Sequence, residues 1–135
     1  MSMKTPLEKQ RENVIMTASK EDLTLMLYDG ALRFINQAIL AIEDKDFEKA
    51  NTVIIKAQNI ILEFRATLDM SYDIAQQMEA MYIYIYELLI NGNIKKDKDI
   101  LSEARDLVRG FRDTWKEAIV IARKEKAAQQ KKPNV

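Results

Sequence analysis

The chain reads as all-α, an antiparallel up-down-up-down four-helix bundle with a mobile N-terminal leader. Three observations predict it. Pro6 and Pro133 stand at the two ends and only three glycines occur in 135 residues, so nearly the whole chain is open to helix. Apolar residues recur every three or four positions in four successive segments, the repeat of one buried helical face. The stretches between segments hold only a few residues, which forces neighbouring helices to run antiparallel. The expected divisions are a leader over 1–18, the bundle over 19–126 and a basic, frayed tail over 127–135.

The first helix is expected to open at Ser19, whose hydroxyl can cap it while Glu21 and Asp22 favour the positive end of the dipole. It runs to Glu43 with Leu23, Leu27, Ala31, Phe34, Ala38 and Ala41 inward. Gly30 inside a helix costs about 1 kcal/mol relative to alanine, so a close neighbour is expected there. The second helix starts at Asp46 and ends near Leu68, burying Ala50, Ile54, Ala57, Ile61, Phe64 and Leu68. Asp69, Met70 and Ser71 make the connection. A third helix from Tyr72 to Asn91 turns Ile74, Met78, Met81, Tyr82, Ile85, Leu88 and Leu89 inward, and Gly92-Asn93 reads as its stop. The fourth opens near Asp97 or Asp99 and buries Leu101, Ala104, Val108, Phe111, Trp115, Ala118, Ile119 and Ala122.

Composition closes off several kinds of chemistry. There is no cysteine, hence no disulfide framework and no thiolate metal site. There is no histidine either, which removes the commonest metal ligand and every Ser-His or Cys-His nucleophile. The carboxylates Glu43, Asp44, Asp46 and Glu48 crowd one turn, where a solvated charge cluster is the ordinary reading. No catalytic residue, metal or cofactor is expected. Lys+Arg and Asp+Glu balance at 21 each, so no overall field draws the chain to nucleic acid. A basic end (Arg123, Lys124, Lys126, Lys131, Lys132) fits a solvated helix terminus. The first residues lack a signal-peptide core, and no apolar run approaches the ~18 residues of a membrane span, so a cytoplasmic protein without membrane insertion is expected.

One apolar stripe per helix closes a bundle, yet these helices carry more. Projected at about 100° per residue, Leu25, Tyr28 and Leu32 form a second line on the first helix, Ile55 and Leu62 on the second, and Ile83, Tyr86 and Ile90 on the third. As a set they suit a groove that accepts an amphipathic helix from outside. The leader carries its own apolar triplet, Val14-Ile15-Met16, placed either as a lid over that groove or as a hydrophobic staple at the helix entrance. The alternative is a structural or adaptor bundle that self-associates through the same stripes.

Residues Thr17 to Ala41, TASKEDLTLMLYDGALRFINQAILA, closely resemble the flagellar secretion chaperone family. So do Lys56-Ala-Gln-Asn-Ile-Ile61, Ala66-Thr-Leu-Asp69 and Arg112-Asp-Thr-Trp-Lys-Glu117, in the family's order and spacing. The resemblance covers about residues 13 to 118. It implies a helical bundle that binds the C-terminal segment of flagellin in the cytoplasm, one-to-one, wrapped around it as helices. It further implies protection against premature polymerisation, delivery to the flagellar export apparatus, contact with flagellar regulators, and a leader covering part of the groove before flagellin arrives.

Overall fold

The computed structural model describes residues 20–130. Four helices fill most of that span: α1 (Lys20–Glu43), α2 (Phe47–Thr67), α3 (Ala75–Lys95) and α4 (Lys98–Gln130). α1 packs on α2, α2 on α3, α3 on α4 and α4 back on α1, closing a ring in chain order. With short connections at each corner, consecutive helices run antiparallel, so the expected four-helix bundle is the fold observed. No strand occurs among the described residues. Ser19, the expected first cap, lies outside them.

Two of the three connections use the same device. Lys45 and Lys96 both adopt the left-handed conformation, with φ of 58° and 50°. The Lys45 N–H donates to the Ile42 carbonyl (3.0 Å) and the Asp46 N–H to that of Ala41 (2.8 Å). Lys96 donates likewise to Asn93 (3.3 Å) and Asp97 to Gly92 (3.1 Å). These paired bonds satisfy the last carbonyls of the outgoing helix. The next residue then starts the following one: Asp46 accepts from the Lys49 N–H at 3.1 Å, and Asp97 accepts from those of Asp99 and Ile100 at 2.8 and 3.4 Å. The longer connection, 68–74, is organised by Asp69, which accepts from the Ser71 N–H (2.9 Å) and hydroxyl (2.6 Å). That local turn delays α3 to Ala75, three residues beyond the expected start, and leaves Ile74 exposed instead of inward.

The expected stop at Gly92-Asn93 is corrected too, because α3 runs through both to Lys95. Gly92 serves packing. A Cβ built there would stand 2.7 Å from Leu101 Cδ2 and 3.0 Å from its Cγ, and Leu101 is fully buried. At Gly30 the same exercise meets Ile60 Cδ1 at 3.5 Å and Arg33 Nη2 at 4.0 Å, both ordinary contacts. α4 continues to Gln130, four residues into the stretch read as tail, and at about 1.5 Å per residue it spans roughly 50 Å against 30 to 36 Å for the others. Its last buried residue is Ile119; Ala118 and Ala122, expected inward, are exposed because α4 has there outrun its neighbours.

The core alternates alanines with no exposure (Ala31, Ala38, Ala50, Ala57, Ala104) with Ile35, Ile54, Ile61, Ile85, Leu89, Leu101 and Val108. Near one end a layer takes one ring from each helix. Tyr28 stacks on Phe64 with centroids 4.3 Å apart, Phe64 on Tyr82 at 5.8 Å, and Tyr82 leans on Phe111 at 5.5 Å. Across that layer the Tyr28 and Tyr82 hydroxyls share a hydrogen bond of 2.7 Å, so both phenols are satisfied inside an apolar core. Burial pushes the Tyr28 hydroxyl pKa well above the ordinary phenol range, and the bond to Tyr82 pushes the same way. Burial raises Tyr82 as well.

Replacing Tyr28 by Phe strands the Tyr82 hydroxyl and should cost about 1–3 kcal/mol in urea denaturation; Y28F/Y82F, which removes both hydroxyls, should cost less than the sum of the single changes. Since both pKa values are raised in the folded state, this contribution is complete below the unfolded phenol value of about 10 and is lost as pH climbs above it. The wild type should therefore weaken more steeply than Y28F/Y82F between about pH 9.5 and 11. The glycines should separate by the same assay. Gly92→Ala should destabilise by roughly 1–2 kcal/mol through overpacking, whereas Gly30→Ala should be neutral or gain up to about 1 kcal/mol of helix propensity.

Candidate functional site: the outer flanks of the bundle

Two polar links join α2 to α3. Asn93 Nδ2 donates to Asn51 Oδ1 at 2.8 Å near one end, and Arg65 pairs with Glu79 at 3.8 Å near the other. Both links hold the same antiparallel register, since each step forward on α2 matches one step back on α3. Leu62 thus stands level with Tyr82 and Ile83, and Ile55 level with Leu89 and Ile90. Between the links lies an apolar strip: Ile55 and Leu62 are 42 % and 39 % exposed, and Ile83, Tyr86 and Ile90 are half-buried. Five of the eight groove residues read from sequence come together here.

The other three do not join them. Tyr28 and Leu32 are 3 % and 6 % exposed and belong to the core, which corrects their placement on an outer line. The reason is the position of α1, whose buried arc centres on Ile35 and reaches round to both residues, while the layer of rings draws Tyr28 inward. Leu25 is half-buried on the side of α1 that meets α4. It lies one turn from both Glu21, whose carbonyl accepts from Trp115 Nε1 at 3.1 Å, and Asp29, which pairs with Arg112 at 3.3 Å. Asp22–Arg123 at 3.0 Å and Glu43–Lys98 at 3.6 Å continue this α1/α4 seam. The pair of acids around Arg112 holds its guanidinium pKa up, Asp113 most strongly. Charge covers this flank, whereas the α2/α3 strip carries no charged pair between its two end links, only the half-buried Gln58 one turn from both Ile55 and Leu62.

Two further hollows escaped the sequence reading. Between α1 and α2, Leu23, Met26, Leu27, Phe34 and Ile60 line a hollow of about 440 Å³ with Gly30 at its floor. Leu23, Leu27 and Phe34 were expected in the core, but Leu27 is 39 % exposed and the other two are half-buried. Their spacing satisfies a helical stripe as well as the alanine line Ala31–Ala38 beside it, and periodicity alone does not choose between two adjacent stripes. At the bundle end, Leu68, Tyr72, Ile74, Met78 and Trp115 ring a hollow of about 330 Å³ that opens onto Tyr28 and Tyr82. The triplet Val14, Ile15 and Met16 lies outside the described residues.

The charged residues near the connections have structural employment. Asp46 caps α2, and Glu43 pairs with Lys98. On α3, Tyr84 donates to Glu103 of α4, a bond that raises its own pKa. Among the described residues α1 is the one helix long and apolar enough to cross a membrane. Its apolar arc, from Tyr28 to Ile42, is spent on the bundle core, and its outer side carries Asp22, Asp29 and Arg33.

An antiparallel bundle that closes its own core and still keeps apolar strips on its outer flanks is of the class that can receive further helices from outside. A family model described as flagellar protein FliS matches residues 3–122. The chain is 44 % identical over 126 residues to the flagellar secretion chaperone FliS of Bacillus subtilis (strain 168), covering 93 % of this chain and 95 % of that one. Against the FliS of Escherichia coli (strain K12) identity is 31 % over 112 residues, with 81 % and 82 % covered. Against that of Salmonella typhimurium (strain LT2) it is 30 % over 109 residues, with 78 % and 81 % covered. The chain belongs to the FliS family of flagellar secretion chaperones.

Proposed function

We propose that this chain is a cytoplasmic export chaperone for flagellin that acts by binding alone, without catalysis. It takes the C-terminal segment of flagellin, one copy to one copy, keeps it from polymerising early and brings it to the flagellar export apparatus. The observation that carries this reading is the α2/α3 strip, with Ile55, Leu62, Ile83, Tyr86 and Ile90 on one flank of a bundle whose core is already closed. Family membership supports it.

The physical argument concerns ordering. A segment that is disordered before binding gives up about 1–2 kcal/mol of backbone freedom per residue when it becomes helical. Burying one large apolar side chain returns roughly 1.5–3 kcal/mol. A single strip cannot offset the ordering of a long segment, so the guest must bury its own apolar face and touch more than one flank. The strip and the two hollows lie on successive flanks and at one end, as a wrapped guest requires. If the leader triplet Val14-Ile15-Met16 acts as a lid instead of a hydrophobic staple, flagellin has to compete with it for this surface.

Titration with the flagellin C-terminal segment tests the reading. Leu62→Arg or Ile83→Arg should weaken binding tenfold or more, about 1.4 kcal/mol, with unchanged helical circular dichroism; equal affinity would remove the strip from the interface. Deleting residues 1–18 should tighten binding, and an unchanged constant would reject the covering leader. A chain that sediments as a stable oligomer and ignores the peptide is the self-associating adaptor instead.

A further inference from the structure

The α1/α2 hollow differs from the α2/α3 strip in its charge. Arg33 lines it, and a second cation, Lys56, stands over the ring of Phe34, another of its lining residues. The Arg33 guanidinium carbon is 5.2 Å and Lys56 Nζ 5.6 Å from the centre of the Phe34 ring. Arg33 Nη2 also comes within 4.0 Å of the place a Gly30 Cβ would occupy, over the apolar floor. Every other arginine among the described residues has a carboxylate within ion-pair distance: Arg65, Arg105, Arg109, Arg112 and Arg123. Arg33 has none among them, and neither has Lys56. Asp29, one turn before Arg33, is engaged by Arg112.

A ring face holds a cation only weakly when water is available on the other side. Two such cations beside one ring, above an apolar hollow, complement an acidic side chain brought by whatever fills the hollow. The two family-like runs meet here: Leu27 and Gly30 come from one, Lys56 and Ile60 from the other. Within the second run, Ala57 and Ile61 serve the core and leave Lys56 and Ile60 for the outside. We propose that the α1/α2 hollow is a second docking face, for a turn of amphipathic helix in the bound export substrate that seats apolar side chains on Leu27, Phe34 and Ile60 and sets a carboxylate between Arg33 and Lys56. This deepens the flagellin-binding reading and rests on it. The carboxylate fixes the register of the guest helix, which an apolar strip alone does not.

The test is calorimetric titration of the full chain with the flagellin C-terminal peptide at about 50 mM and about 500 mM salt. R33Q/K56Q should bind roughly 3- to 10-fold more weakly at low salt and with a flatter salt dependence, while Lys56→Arg keeps wild-type behaviour. One acidic residue of the peptide, changed to its amide, should lose the same factor on the wild type and nothing further on R33Q/K56Q. Equal affinity and equal salt dependence for R33Q/K56Q, with Leu62→Arg still weakening, would overturn this proposal and leave flagellin binding standing. Tighter binding by R33Q/K56Q would make the chain's own leader the occupant and overturn it as well. A wild type that does not bind the peptide defeats both readings.

Discussion

One aromatic ring from each helix meets in a single layer, and the arrangement of the remaining surface follows from it. Tyr28, Phe64, Tyr82 and Phe111 stack or tilt on one another, and the hydroxyl bond between Tyr28 and Tyr82 ties α1 to α3 across the bundle. Rings in contact tolerate little sliding, and a shared hydroxyl bond tolerates less, because slipping it would strand a buried donor. The layer therefore sets the axial position of all four helices at once. Away from it, alanines without exposure let the helices approach closely, so bulky side chains beyond the core's need sit on the flanks.

The flanks are not equivalent, and charge distinguishes them. Along α1/α4, carboxylates of α1 meet guanidinium and ammonium groups of α4 over most of the shared length. Exposed pairs of this kind contribute little stability, typically 0–1 kcal/mol each. Their larger effect is on access, since an approaching apolar helix would have to strip water from several charges for no return. The α2/α3 flank has its cross-helix ion pair, Arg65–Glu79, at one end, and no ion pair joins α1 to α2 among the described residues.

The architecture, both ends of α2, the end of α1 and the start of α4 were legible in the sequence because periodicity and the placement of proline answer those questions directly, whereas both ends of α3 and the end of α4 were not. Asp46 as a cap and Lys98 beside the fourth start fell within a residue of expectation. Gly92 misled because glycine ends helices more often than it relieves a contact, and only the position of Leu101 separates the two roles. Ile55, Leu62, Ile83, Tyr86 and Ile90 were readable as a set, since they lie clearly off the core line of their own helices. Tyr28 and Leu32 were not, because α1 faces two neighbours and buries a wide arc, so a residue well round from one stripe is still enclosed. Leu27 and Phe34 went the other way for the same reason. Which edge of a wide arc meets a neighbour depends on how the helix is rotated in the bundle, and a single helix does not encode its rotation.

The polar links at Asn51–Asn93 and Arg65–Glu79 act as end markers on a track. They stand fourteen positions apart on each helix, which at about 1.5 Å per residue is close to 21 Å. A straight helix spanning that distance has some four turns between the two links. Any straight rod longer than that, laid along the same line, would run past one of the two links.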